Sequence, residues 1–218
     1  MSDPNRIVLI TGASRGLGYA TALALAGPGT QIVAVARTVG GLEELDDAIT
    51  QKGGSTTLVP LDITNDAGLT AMATAIQGRW GRLDLFVHAA AHAVPRSPVG
   101  HVAEKDLDRA WAVNARALQR LISAVEPLLN AGQNTGRAII VDDQCNADGF
   151  LSAYAASKDA ARRMSQSWAQ ESKRIGPNVT LFAPQPMPTA LRARFSPGED
   201  RATLSPCNDE AARLIATI

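Results

Sequence analysis

The sequence predicts an α/β fold in which helices cover both faces of a parallel β-sheet. Short runs rich in β-branched residues alternate with longer amphipathic stretches along most of the 218 residues, and this alternation is typical of such a sheet. A chain of this length fits one domain that buries roughly 70% of its unfolded surface. We therefore expect a single three-layer α/β/α domain over residues 1–218.

Six runs are candidate strands: residues 7–10, 31–36, 57–61, 83–89, 138–141 and 179–183. Helical patterns begin near Gly16, Gly41, Asp66, Asp106 and Ser152. The stretch 184–206 contains five prolines, which remove backbone donors and prevent long helices. We expect it to form a loop-rich flap on the ligand side of the sheet, followed by a last helix over 208–217. A proline-rich surface linker is the alternative.

The first strand leads directly into a glycine-rich turn and then into an alanine-rich helix. Glycines in such a turn allow a tight bend, bring backbone amides up to a pyrophosphate and let the helix pack closely on the strand. The free amides and positive end of the helix also attract phosphate. This placement predicts a dinucleotide site in a Rossmann-type, doubly wound parallel sheet. The cofactor contacts expected from the turn are Gly12, Ser14, Arg15, Gly16, Leu17 and Gly18.

The end of the second strand carries Arg37, directly after Ala36. An acidic residue there would bind the ribose diol of NAD and repel the 2′-phosphate of NADP. Arg15 could approach the same phosphate from the glycine turn, and guanidinium groups suit phosphate oxygens. The two arginines together predict NADP (NADPH) rather than NAD, although each alone is also consistent with a solvated surface residue.

Tyr154 and Lys158 are four residues apart in a predicted helix, so their side chains share one face. A tyrosine with an ordinary pKa of about 10 is a poor acid–base catalyst at neutral pH, but a neighbouring ammonium favours the phenolate. Tyr154 is therefore a candidate for proton exchange with a substrate oxygen while a nicotinamide exchanges hydride.

These motifs resemble the short-chain dehydrogenase/reductase family over about the whole chain. Residues 11–18 have that family's Thr-Gly-x-x-x-Gly-x-Gly spacing, and 154–158 have its Tyr-x-x-x-Lys pair. The resemblance implies that Asn114 belongs to a proton relay and that Thr189 meets the nicotinamide carboxamide. Further cofactor contacts are implied at Asp62, Ile63, Ala89, Ala90 and Pro184.

The sequence also departs from the family pattern. Asp143 stands where the family has a serine that binds the substrate carbonyl. A protonated carboxyl could donate as the serine does, whereas an ionised one would repel developing oxyanion charge. The stretch from His88 to Ala91 replaces Asn-Asn-Ala-Gly, and Gln185 replaces a glycine. None of these changes removes the dinucleotide cleft.

Several other conspicuous residues have structural interpretations. The histidines are expected to be structural or solvated, because they lack a metal-ligand spacing with carboxylates, and no metal is expected; they are His88, His92 and His101. The flap arginines are expected to pair with Glu199 and Asp200 at the surface rather than to bind an acidic substrate; they are Arg192, Arg194 and Arg201. The tryptophans are expected to pack at helical positions; they are Trp80, Trp111 and Trp168.

Charge and cysteine usage limit the partners of the protein. Its 21 basic and 21 acidic residues balance, which gives no field for nucleic acid or an anionic membrane. The run 7–10 is too short for a signal core or a membrane span. Cys145 and Cys207 belong to no CxxC pair, which favours a reduced compartment. We expect a cytoplasmic protein that acts on a small molecule.

The leading hypothesis is an NADP-dependent oxidoreductase that transfers hydride between the nicotinamide and a carbonyl or alcohol substrate. Its catalytic residues would be Tyr154, Lys158, Asn114 and Asp143. The alternative is a catalytically impaired NADP-binding sensor or assembly protein, which the Asp143 and His88 changes favour. The resemblance also implies a homodimer through the helices in residues 111–129 and 155–172, and the sequence ends before a seventh strand that would build a tetramer.

Overall fold

The structure, a computed structural model, describes residues 4–132, 136–143 and 149–218. Six strands form one parallel sheet in the order β3-β2-β1-β4-β5-β6. They are β1 (Arg6–Thr11), β2 (Thr30–Ala36), β3 (Ser55–Pro60), β4 (Leu85–His88), β5 (Arg137–Val141) and β6 (Asn178–Phe182). The predicted Rossmann-type fold and all six predicted strands are confirmed.

Burial on both faces of the sheet explains the near-continuous apolar strands. In β1, Ile7, Val8, Leu9 and Ile10 are all fully buried. Successive side chains point to opposite faces, so Ile7 and Leu9 belong to one core cluster and Val8 and Ile10 to the other. The sheet therefore forms the middle of three layers.

The helices provide the two outer layers. They are α1 (Gly16–Leu25), α2 (Val39–Gln51), α3 (Asp66–Trp80), α4 (Glu104–Ala110), α5 (Ala117–Asn130), α6 (Ser152–Glu171), α7 (Ala190–Phe195) and α8 (Cys207–Ile215). Side chains of α3, α5 and α6 fill one cluster, whereas those of α1, α2 and α8 fill the other. A π-helical turn, Trp111–Arg116, joins α4 to α5; such turns often occur at functional sites.

Some sequence predictions need correction. The flap 184–206 is more regular than expected: it contains α7 and a 3₁₀ turn, Arg201–Thr203. Thr189 accounts for the helix because its hydroxyl accepts a hydrogen bond from the Arg192 amide, which caps α7. Trp111 is 42% exposed, so it does not pack as predicted. Cys145 lies outside the described residues.

The sheet order reverses between β1 and β4, which are neighbours at its centre. In open α/β sheets, ligands bind outside the carboxyl ends of the strands at such a switch point. No helix in the described ranges is both long enough and apolar enough to cross a membrane.

Candidate active site and cofactor cleft

A cleft of ≈ 1260 Å³ lies over the carboxyl ends of the central strands. All the residues predicted to contact the cofactor lie on its wall: Gly12, Ser14, Arg15, Gly16, Leu17, Gly18, Arg37, Asp62, Ile63, Ala89, Ala90, Tyr154, Lys158, Pro184 and Thr189. Asp143 also lines the cleft, whereas Asn114 is buried behind it. The fold therefore brings residues from distant parts of the sequence to one surface.

The glycine turn is tight enough to exclude larger side chains. Gly12 has a φ of 74°, and a Cβ there would lie 2.8 Å from the Ala90 backbone nitrogen. A Cβ on Gly18 would lie 2.4 Å from the Gly12 carbonyl oxygen. Within the described part of the chain, no side chain caps α1 at Arg15. The first-turn amides of α1 are thus suited to an anionic ligand.

One rim of the cleft is basic. Arg15 and Arg37 are both exposed and both line the cleft. The pKa of the nearby His92 is lowered first by burial and then by the charges of Arg109, Arg194 and Arg37. These cations make this end of the cleft favourable for negative charge.

Asp62 is held in place by a neighbouring cation. Its carboxylate accepts a hydrogen bond from Arg109 at 2.7 Å and two from Thr64, at 3.0 Å from the amide and 2.8 Å from the hydroxyl. Burial raises the pKa of Asp62, but the bonds from Arg109 and Thr64 outweigh that effect and lower it to about 2. Asp62 is therefore an ionised acceptor at neutral pH.

Tyr154 and Lys158 lie side by side near the end of β5. The Tyr154 hydroxyl donates to Asp143 Oδ2 at 2.8 Å, and Lys158 Nζ donates to the Val141 carbonyl oxygen at 2.9 Å. Tyr154 is 1% exposed, and its ring packs against Phe195 of α7 with 4.7 Å between the ring centroids. Because the Tyr154 hydroxyl is the donor in its hydrogen bond with Asp143, the Asp143 carboxylate is the acceptor.

Asn114 lies in the π-helical turn and ties three segments together. Its Oδ1 accepts from the His92 amide at 2.7 Å, and its Nδ2 donates to the His92 carbonyl at 3.0 Å and to the Ser157 hydroxyl at 2.9 Å. Asn114 therefore fixes the loop after β4 against α6, the helix that carries Tyr154.

His88 forms a polar link between two neighbouring strands. Its Nδ1 lies 2.8 Å from the Thr11 hydroxyl oxygen in the interior between β1 and β4. Burial lowers the pKa of His88 to about 3, and the Lys158 charge contributes in the same direction. The side chain is thus a neutral, structural imidazole, as the sequence predicted.

The flap is anchored by polar contacts on both sides. Arg192 forms two 2.7 Å hydrogen bonds with Glu199, as expected. Arg194 instead donates to the Ala93 carbonyl, and Arg201 donates to the Pro188 carbonyl. Neither of these two arginines pairs with an acidic residue in the described ranges. The buried Glu210 carboxylate accepts from the Gln185 amide and the Ser205 hydroxyl, which holds both ends of the flap to α8.

Sequence reasoning missed three residues around the cleft: Arg109, Phe195 and Arg162. Arg109 and Phe195 act across long sequence separations, and no local pattern connects them to Asp62 or Tyr154. Arg162 gave a usable signal, because it follows Lys158 by four residues and so lies on the same helix face. Its guanidinium contacts Asp142 and the Asp143 carbonyl.

No three His, Cys, Asp or Glu side chains within residues 4–132, 136–143 and 149–218 converge closely enough to hold a metal ion.

A parallel sheet with a glycine turn and a cleft over its carboxyl ends defines a Rossmann-type α/β protein. The sequence profile of short chain dehydrogenases matches residues 6–200. The chain belongs to the short chain dehydrogenase family, and it is an NAD(P)-dependent oxidoreductase.

Relatives of known name differ in what they act on. The chain is 29% identical over 182 residues to galactitol 2-dehydrogenase of Agrobacterium fabrum, covering 83% of this chain and 70% of that protein. It is 30% identical over 215 residues to fatty acyl-CoA reductase of Acinetobacter baylyi, covering 96% and 71%. A metagenomic short-chain oxidoreductase, solved in complex with NADP, superposes with a TM-score of 0.83 at 27% identity, covering 100% of this chain and 92% of that one.

Proposed function

We propose that the protein is an NADP-dependent oxidoreductase that interconverts a carbonyl compound and an alcohol, with Tyr154 as the acid–base group. One observation carries the proposal: Tyr154 and Lys158 lie on the wall of the same cleft as the glycine turn. Residues 1–218 would act as one domain, with 184–206 as the flap on the substrate side. The protein would work in the cytoplasm.

The chemistry of the cleft fits a dinucleotide. The uncapped first turn of α1 offers amides to a pyrophosphate, and Gly12 and Gly18 leave no room for a side chain between backbone segments. Arg15 and Arg37 would hold the 2′-phosphate of the adenosine ribose, and Asp62 would accept from the adenine amino group. When bound, NADP supplies the hydride acceptor or donor. The metagenomic relative solved with NADP supports this cofactor.

In the reducing direction, Tyr154 gives its hydroxyl proton to the substrate oxygen as the carbonyl carbon receives a hydride. The phenolate left behind is stabilised by Lys158, whose ammonium lies on the same face of α6. In the oxidising direction Tyr154 takes the proton back from the alcohol. Asn114 positions this helix against the loop after β4.

Asp143 distinguishes this site from the pattern that the resemblance implies. Its carboxylate accepts a hydrogen bond from the Tyr154 hydroxyl, so Tyr154 must leave this acceptor to donate to a carbonyl oxygen. Membership of an oxidoreductase family favours a working enzyme over the NADP-binding sensor.

The cofactor preference can be tested by calorimetry with NADPH and NADH. A charge-assisted hydrogen bond contributes roughly 1.5–3 kcal/mol, so Arg37→Asp should weaken NADPH binding about 10–100-fold and change NADH binding far less. Arg174→Asp is the matched control, because it makes the same charge change at an exposed position away from the cleft and outside the expected dimer helices. Equal affinity of the unmodified protein for NADH and NADPH would refute the preference.

The chemistry can be tested by screening ketones, aldehydes and quinones for NADPH oxidation. With any active substrate, Tyr154→Phe should remove nearly all turnover while NADPH affinity stays almost unchanged. Tyr19→Phe changes the other of the two tyrosines and should retain activity. If Tyr154→Phe leaves the rate unchanged, the assignment is wrong. If NADPH binds tightly but no substrate turns over, the sensor function is supported instead.

A further inference from the structure

Three side chains on one face of α6 contact three successive residues at the end of β5. Tyr154, Lys158 and Arg162 are spaced four residues apart, so they lie in one row along the helix. Opposite them, β5 ends at Val141 and the chain continues through residues 142 and 143. The last backbone bond of this segment to β6 is donated by the Asp142 amide to the Phe182 carbonyl, at 2.8 Å.

Arg162 makes two different contacts with this segment. Its Nε donates to Asp142 Oδ2 at 2.7 Å, and its Nη2 donates to the Asp143 carbonyl oxygen at 3.1 Å. The Tyr154 hydroxyl reaches the other end of the same residue, at Asp143 Oδ2. Asp143 is therefore held by Arg162 at its backbone and by Tyr154 at its carboxylate.

The burial of this ion pair makes Arg162 difficult to replace. The Asp142 side chain is 5% exposed and the Arg162 side chain 22%. A carboxylate that is this deeply buried requires a partner. The pKa of Arg162 is raised, first by the hydrogen bond from its guanidinium to Asp142. A planar fork can reach a carboxylate and a carbonyl at once, which a lysine ammonium at the same position cannot reproduce.

We propose that Arg162 is a positioning residue that, through Asp142 and the Asp143 carbonyl, holds the Asp143 carboxylate against the Tyr154 hydroxyl. This proposal rests on the proposed role of Tyr154 as the acid–base group. Arg162 itself need not contact the substrate, because it acts through Asp143. Without the contacts of the Arg162 guanidinium, the Asp143 carboxylate would no longer be held in place beside the Tyr154 hydroxyl.

The test uses the ionisation of Tyr154, followed by the absorbance of tyrosinate in the protein without cofactor or substrate. The chain has two tyrosines, so a Tyr19→Phe background leaves Tyr154 as the only reporter. An acceptor carboxylate stabilises the neutral phenol and opposes the phenolate. Asp143→Ala should therefore lower the titration midpoint of Tyr154 by about one pH unit.

Arg162→Lys keeps the positive charge but loses the fork, so it should lower the same midpoint by at least half as much. The double variant Asp143→Ala with Arg162→Lys should have the same midpoint as Asp143→Ala alone. Both substitutions act on the same interaction between Asp143 and Tyr154, so the second has nothing further to remove. Arg163→Lys, on the neighbouring exposed position, should leave the midpoint unchanged. These substitutions leave the other titratable and charged groups around Tyr154 and Arg162 unchanged: Lys158, His88, His92, Arg96, Asp142, Asp159 and Arg194.

The proposal is overturned if Arg162→Lys behaves like the Arg163→Lys control, if the two substitutions shift the midpoint additively, or if Asp143→Ala leaves the midpoint in place. If circular dichroism shows that Arg162→Lys is unfolded, Asp142→Asn replaces it in the same cycle, because it removes the ion pair and keeps the arginine. The titration needs no turnover, so this proposal and the proposed function can fail separately.

Discussion

Protonation of His88 provides a quantitative test of the interior between β1 and β4. His88 is 2% exposed, and burial lowers the pKa of its imidazole from 6.5 to about 3. As the pH falls below 6.5, the unfolded chain takes up a proton at His88 but the folded chain does not. The stability that neutral His88 provides is therefore retained above pH 6.5 and lost progressively as the pH falls toward about 3.

The size of the loss follows from the two pKa values. A solution at pH 5 is 1.5 pH units below the pKa of 6.5 that His88 has in the unfolded chain. Each unit corresponds to about 1.36 kcal/mol. The free energy of unfolding should therefore be about 2 kcal/mol lower at pH 5 than at pH 7. Urea denaturation at pH 7 and pH 5 measures this difference.

His88→Asn is the matched variant, because its amide can still bond the Thr11 hydroxyl but does not titrate in this range. Contributions from carboxylates and from the other histidines are common to both proteins and cancel in the comparison. The variant should lose about 2 kcal/mol less than the unmodified protein between pH 7 and pH 5. An equal loss in the two proteins would show that His88 is not buried in its neutral form, and the reasoning would fail.

Three further predictions concern the turn, the carboxylate and the assembly. Gly18→Ala should weaken NADPH binding at least about tenfold by calorimetry and cost about 1–3 kcal/mol in urea denaturation, because its Cβ would lie 2.4 Å from the Gly12 oxygen; unchanged affinity would contradict this. Asp143→Ser should raise kcat for carbonyl reduction about tenfold or more, and Asp143→Asn should be tolerated, because both remove the carboxylate that repels the developing oxyanion. If both variants lose activity, and the rate of the unmodified protein rises with pH, Asp143 acts instead as a base. Light scattering should report a homodimer of twice the 22.9 kDa chain mass, and Trp111→Asp should give monomers, because this exposed tryptophan lies in the proposed interface; a stable wild-type monomer or tetramer would refute the assembly.

The sheet was predictable because its signals are local. Apolar β-branched runs such as residues 31–36 and the turn beginning at Gly12 carry their meaning within a few positions. The boundaries were less certain: β4 is Leu85–His88 rather than 83–89. Leu83 and Ala89 flank this strand. The Leu83 amide donates a hydrogen bond to the Leu128 carbonyl, and the Ala89 amide donates one to the Thr11 carbonyl. Sequence periodicity cannot distinguish such single hydrogen bonds from the regular pairing of a strand.

The arrangement of the site was only partly predictable. The spacing of Tyr154 and Lys158 indicated a shared helix face, which the structure confirms. The direction of the Asp143 contact was left open by the sequence because it depends on where the Tyr154 hydroxyl lies. The cover that Phe195 provides over Tyr154 depends on the fold of the flap, and the flap prolines gave no indication of α7.

The departures from the family pattern are matched by local partners. His88 stands where an amide is expected, and the Thr11 hydroxyl on the adjacent strand provides its hydrogen bond. Asp142 and Asp143 add two carboxyl groups at the end of β5. Arg162 donates to the Asp142 carboxylate and to the Asp143 backbone carbonyl. A buried carboxylate is costly unless it is paired, and Arg162 provides that partner for Asp142. The pairing of Asp142 with Arg162 therefore fixes the end of β5, where Asp143 accepts a hydrogen bond from Tyr154 on the wall of the cleft.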